Sequence, residues 1–292
     1  MTIVAPEKLI GRKPPPEELP YLPGRVVRNL PEIGRLTGRG NTANLEVVMA
    51  AKPDLIVDFG SVSDTYISLA DRVQSQTAIP YLLIDCRFAH TLAAVRLLGG
   101  ILGVAQRADQ LAGRMEDILQ DIDRVTASIP DEARPRVYLA RGTRGLETGN
   151  RGSINTEIIE RVGAINAVEG GLPGGGLYNV SLEQVVSWKP DTIVTVDPAV
   201  AEHIRSDPTW SQIEAVQRGR VFLSPRLPYG WIDAPPSLNR LIGVQWLARL
   251  LFPGRFPGDM REVARGFYRQ FYQVNLSAVE LDKLLEGAQQ RR

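Results

Sequence analysis

Residues 44–57 read NLEVVMAAKPDLIV, and residues 181–194 read SLEQVVSWKPDTIV, an ungapped second copy. Leu45/Leu182, Glu46/Glu183, Val48/Val185, Lys52/Lys189, Pro53/Pro190, Asp54/Asp191, Ile56/Ile193 and Val57/Val194 are identical pairs. Each copy predicts a short helix and then a strand. Asn44 and Ser181 offer a short side-chain oxygen to a free N–H of the first helical turn. Ser181 and Gln184 have capping-box spacing. Pro53 and Pro190 end the helix by denying the preceding lysine helical geometry. Leu55-Ile56-Val57 and Thr192-Ile193-Val194 read as strands buried on both faces. The copies lie too far apart for a solenoid, whose repeats run to roughly 20–50 residues. They predict two similar α/β halves.

The chain between and around the copies fits that plan. Residues 11–30 are proline-rich and read as surface loop. Helices are predicted near 64–77, 89–103 and 106–128, with a strand at Tyr81–Ile84. The helix near 106–128 is the longest and would span about 30 Å. The second half reads as a strand at Arg136–Ala140, a helix at Ile154–Val162, a glycine-rich loop at Gly170–Gly176 and the second copy. After it come a short helix at Pro208–Val216, a strand at Arg220–Leu223, and helices at 235–251, 259–272 and 277–288. Strands alternating with helices imply parallel sheets. The predicted fold is two Rossmann-like α/β lobes joined by one long helix, with boundaries at 1–105, 106–129 and 130–292.

Composition narrows the function. Apolar residues make up 43% of the chain and charged residues 23%, as in ordinary globular proteins. The net charge of +1 supplies no bulk field for nucleic acid. The single cysteine, Cys86, excludes an internal disulfide, and two histidines, His90 and His203, leave no Cys/His zinc pattern. No apolar stretch approaches the ~20 residues of a membrane span. MTIVAPEKLIGRKPPP has no signal-peptide apolar core. On these features alone the chain reads as cytoplasmic.

The two NLE/SLEQV…KPD phrases, the long helix between them and the segment 226–231 ahead of a C-terminal helix resemble the substrate-binding proteins of ABC importers for iron–siderophore complexes and vitamin B12. The resemblance covers roughly residues 5–285. It implies that a rigid helix joins the lobes, that the ligand lies between them, and that the protein works as a monomer in the periplasm or at the outer cell surface. It also implies that one glutamate on each lobe, here Glu46 and Glu183, pairs with arginines of the membrane permease. A glutamate in a first helical turn also interacts favourably with the positive helix end, by ~0.3–1 kcal/mol, whatever its partner. Family members begin with a secretion signal and a strand–helix unit ahead of the segment that here reads APEKLIGR. The expectation is therefore a first lobe short of one strand and helix, and a native chain extended upstream.

In parallel sheets, ligands bind beyond the carboxyl ends of the strands. That rule selects Gly60, Ser61, Asp85–Phe88, Arg141–Arg144 and Arg226–Trp231. The candidate ligand-binding residues are Tyr229, Trp231, Arg144, Arg141, Arg87, Arg226, Ser61 and Tyr66. Arginine forks suit carboxylate, phosphate or chelate oxygens, and Tyr and Trp add flat apolar faces with a polar end. Packing beneath the following helix is the alternative for Trp231. His90 reads as a capping or packing residue, His203 as exposed and Cys86 as a buried apolar residue. The Gly170–Gly176 loop lacks the Gly-Lys-Ser/Thr of a phosphate loop.

No GxSxG, Ser-His-Asp spacing, metal cluster or GxGxxG accompanies these residues, so no catalytic residue, metal site or cofactor is assigned. The leading expectation is a non-enzymatic binding component of an ABC importer. Its ligand would be a ferric siderophore, haem, corrinoid or related metal chelate, and its partner the permease. A cytosolic chelatase-like enzyme acting on an anionic or tetrapyrrole substrate is the competing reading, and a ligand sensor a third.

Overall fold

Both copies of the repeated phrase take the same backbone path. In the computed structural model, which describes residues 1–11, 20–24, 27, 29–34, 36, 44–170 and 176–288, they are the helices Leu45–Ala50 and Leu182–Ser187. Asn44 caps the first, its side chain accepting from the Glu46 N–H at 2.8 Å. Ser181 and Gln184 form the expected capping box on the second. Ala51 and Trp188 close the helices at φ/ψ of −73/−12° and −75/−12°. Lys52 and Lys189 then swing to φ of 49° and 46°. The prolines that follow exclude the right-handed α region for these lysines, so the helices cannot continue through them.

Two compact units divide the chain, Met1–Met115 with Tyr268–Val274, and Glu116–Phe267 with Asn275–Arg292. The division falls at Met115, inside the unbroken helix Ala105–Thr126. The expected third boundary, with everything after residue 130 in the second lobe, omits the return of 268–274 to the first unit.

The first unit carries β1 (Ile56–Gly60) and β2 (Tyr81–Asp85), paired in parallel from Ile56↔Tyr81 to Gly60↔Asp85. The helices Asp64–Thr77 and Thr91–Ile101 follow the two strands. Among the described residues β1 has β2 as its one strand neighbour. A cavity of about 310 Å³ is lined by Leu55–Asp58 of β1 and its approach, with Leu9, Ile33, Val48 and Tyr81. Tyr21, Leu22, Tyr268, Phe271 and Tyr272 are buried, Tyr21 meeting Tyr268 edge-on at 5.9 Å. This aromatic packing goes with a change of winding. The helix expected at 259–272 is α-helical over Met260–Phe267 and π-helical over Tyr268–Tyr272.

The second unit holds β3 (Arg136–Ala140), β4 (Glu147–Gly149), β5 (Ile165–Asn166), β6 (Leu177–Asn179), β7 (Thr192–Thr195) and β8 (Val221–Leu223). A four-stranded parallel sheet runs β5-β3-β7-β8. β3 and β7 are almost wholly buried, as their apolar centres Val137–Ala140 and Ile193-Val194 require. The expectation of parallel pairing alone is corrected by β4 and β6, an antiparallel pair. The helix expected at Pro208–Val216 is broken at Ile213, which is extended between a 3₁₀ turn and Glu214–Gln217. The helix expected to open at Pro235 starts at Arg240. Most of the proline-rich stretch and residues 171–175 of the glycine-rich loop lie outside the described residues. Among the described residues no helix is long and apolar enough to cross a membrane.

Candidate functional site

In the second unit, β3 ends at Ala140 and the chain turns at once. The N–H of Arg141 donates to the Glu147 carbonyl at 2.8 Å, and the Glu147 N–H returns to the Arg141 carbonyl at 2.9 Å. Gly142 and Gly145, at φ of 72° and 74°, close the turn. The buried Tyr138 hydroxyl donates to the Gly145 carbonyl at 2.9 Å. Thr143 and Arg144 are left exposed at the tip of a loop tied at its base and flank. Arg144 thus offers an exposed guanidinium on a constrained backbone.

The loop after β8 is bound to its surroundings too. The Ser224 N–H donates to the Thr195 carbonyl at 2.7 Å, and the Trp231 N–H to the Pro225 carbonyl at 3.0 Å. Asn239 Nδ2 donates to the Tyr229 carbonyl at 2.8 Å. Arg226 is exposed and Tyr229 half-buried. Leu227–Pro228 and Ala234–Pro235 are cis. Asp233, wholly buried, pairs through Oδ2 with Nη1 of Arg141, while Asn155 Nδ2 donates to its Oδ1 at 2.9 Å. The 141–147 loop, the 150–156 segment and the 226–236 loop therefore meet at one carboxylate. Behind it, the buried Arg240 donates to the carbonyls of Ile154 and Ser237, each at 3.2 Å, and pairs with Glu157.

Trp231 requires a correction. It is 0% exposed, so a ligand arriving from solvent does not meet its ring. It lies beneath the helix Arg240–Leu251, with its carbonyl against Gly243. The packing alternative holds, and Tyr229 is the aromatic residue of this segment that solvent reaches. Trp231→Ala is accordingly expected to lower stability by about 3–5 kcal/mol in urea unfolding. Unchanged stability with lost ligand affinity would reverse that correction.

In the first unit, Ser61 is exposed just past β1, and Tyr66 is half-buried on the following helix. At the end of β2, Asp85 gathers its neighbours. Its Oδ1 accepts from the Arg87 N–H at 2.9 Å. Its Oδ2 accepts from Arg87 Nε at 2.8 Å and Nη2 at 2.6 Å, and meets His90 Nδ1 at 2.9 Å. The bonds from the Arg87 side chain hold the Asp85 carboxyl down at about 2. Arg87 is exposed yet fixed in direction, and His90 is tied to the same carboxylate.

Glu46 and Glu183 are both exposed in the first turns of their helices, one on each unit. The Glu183 carboxyl sits below its ordinary range, chiefly through its own backbone N–H and then the Ser181 side chain.

Asp233 and Asn155 belong to the site without being among the residues expected there. Their signal was a lone carboxylate in the apolar, proline-rich YGWIDAPP. A charge in such a run is stable only when paired.

The profile of the periplasmic binding protein family matches residues 29–226. The molybdate-binding protein MolA of Haemophilus influenzae is 27% identical over 278 residues, 85% of this chain and 76% of that protein. An ABC transporter solute-binding protein from Sulfurospirillum deleyianum superposes with a TM-score of 0.80 at 29% identity, over 90% of this chain and 81% of its own. A periplasmic heme-binding protein from Pseudomonas aeruginosa shares the fold alone, with a TM-score of 0.63 at 17% identity, over 80% and 83% of the two chains. A profile that matches more than half of the chain, across both copies of the repeated phrase, decides its kinship: the chain belongs to the periplasmic binding protein family.

Proposed function

We propose that this protein is the substrate-binding component of an ABC importer, working outside the cytoplasmic membrane. Its ligand is an anion whose outer surface is oxygen. The observation that carries the reading is Arg144, exposed on a tethered loop at the carboxyl end of a parallel sheet. Arg141 and the half-buried Tyr229 lie on loops joined through Asp233, and Arg226 stands exposed on the second of them. Arginine forks recognise paired oxygens, and Tyr adds an apolar face with one hydroxyl. A ferric siderophore or related metal chelate has such a surface. So does a bare oxyanion, and the likeness to a molybdate-binding protein favours molybdate as a second reading.

The residues are suited to holding rather than transforming. Arginines at a loop tip donate hydrogen bonds to oxygen and offer no acceptor of their own. Glu46 and Glu183 serve as docking residues for the permease, and the ligand leaves unaltered.

A thermal-shift panel of molybdate, ferric hydroxamate and catecholate chelates, haem and cobalamin tests the reading on the whole chain. A ligand present at 100 times its Kd adds about 2.7 kcal/mol to the bound state's stability, enough to move the melting temperature visibly. At least one anionic member should do so. A folded protein that responds to none of them would overturn the assignment.

A further inference from the structure

We propose that Asp233 is a positioning residue that holds Arg141 as a preset fork for the ligand's oxygens. The inference rests on the binding function proposed above and assigns a part to a residue that never touches the ligand.

Arg141 is held at both ends. Its backbone exchanges two hydrogen bonds with Glu147. Its guanidinium pairs with a carboxylate that is wholly buried, while the arginine side chain stays 20% exposed. The pair therefore sits at the protein's edge, with part of the arginine side chain still reached by solvent. An arginine side chain loses much rotamer freedom when it binds, and a fork fixed beforehand loses less.

Asp233 is itself locked. Asn155 Nδ2 holds its second oxygen at 2.9 Å. The backbone folds back on itself there: a Cβ added to Gly230 would come within 1.5 Å of the Asp233 carbonyl oxygen. A buried carboxylate is tolerated only with partners, and removing one partner strands the other. The pair also cancels the charge of Arg141, so the ligand meets a directed donor there and a net cation at Arg144.

The test is a double-mutant cycle on the full chain, with molybdate and a ferric hydroxamate chelate as probes. Asp233→Asn keeps the shape and removes the charge. It should weaken binding of whichever probe wild type holds by about tenfold, a change of 1.4 kcal/mol. In an Arg141→Gln background the same change should have little further effect, because contacting residues couple. Equal losses in both backgrounds, or no loss at all, would overturn the proposal. Arg141→Lys keeps the ion pair and discards the fork, so it decides the matter if Asp233→Asn does not fold. It should also bind about tenfold more weakly, and wild-type affinity would count against the proposal.

The Nε–H resonance of Arg141 in the ligand-free protein supplies a readout independent of any ligand. It should be distinct and slow to exchange in wild type and averaged in Asp233→Asn. Were wild type to bind neither probe, this signal would still judge the positioning, and the full panel would still judge the binding function. An Arg141 side chain equally ordered in both proteins would refute it.

Discussion

Replacing Glu46 and Glu183 together by alanine should reduce transport through a reconstituted importer to background and leave ligand affinity within about twofold. Both carboxylates are exposed, one on each unit, in the first turn of six-residue helices that each carry a side-chain N-cap and end with the same backbone geometry. Glu183 is held ionised by its own N–H and by Ser181. The repeated phrase thus gives each unit the same charged feature on the same local scaffold. If permease arginines meet these carboxylates, each truncation strands a cation, and losing one partner of a desolvated charge pair costs about 2–5 kcal/mol. Two such losses exceed what a transient complex withstands. The competing account, in which each glutamate merely complements its helix end, predicts a stability change of ~0.3–1 kcal/mol and normal transport. Transport assays beside urea melts separate the two accounts. Docking should also weaken at high ionic strength, since these charges are exposed.

Gly243→Ala should destabilise the protein severely, against the ordinary preference of helices for alanine. Gly243 lies within the buried helix Arg240–Leu251. A Cβ there would come within 1.7 Å of the Trp231 carbonyl oxygen. That atom is backbone, in a loop held by Trp231 N–H to Pro225 and Asn239 to Tyr229, so it has little room to retreat. Overpacking of this kind costs about 3 kcal/mol or more, against a total of ~5–15 kcal/mol. Because the same loop carries Tyr229 and Asp233, ligand affinity should fall too. Gly113→Ala is the control. Gly113 is interior to the helix Ala105–Thr126, and an added Cβ meets nothing within 4 Å. That change should stabilise by about 1 kcal/mol. Equal urea midpoints for the two variants would contradict the steric account.

Features set by neighbouring residues could be read from the sequence. The capping box at Ser181–Gln184, the helix ends ahead of Pro53 and Pro190, and the strand Arg136–Ala140 are written in a few adjacent side chains. Features set by distant contacts could not. The π-helical turn at Tyr268–Tyr272 accompanies packing against Tyr21, nearly the whole chain away. The β4–β6 pair joins two three-residue strands with no alternation to betray them. Pro235 and Pro236 suggested a helix start, yet Asn239 turns its side chain back to Tyr229 and the helix begins after it. At the site, the arginines were legible as residue types at strand ends. Trp231 was misplaced because burial depends on the helix laid over it. Asp233 was missed because its role exists only through Arg141 and Asn155.

The most direct test of the central claim is a calorimetric titration of the whole protein with the best-binding member of the anionic panel, followed by recovery of the ligand. One ligand should bind per chain, be recovered chemically unchanged, and lose at least about tenfold in affinity when Arg144 and Arg226 are both replaced by alanine. Conversion of the ligand, or affinity indifferent to both arginines, would contradict it.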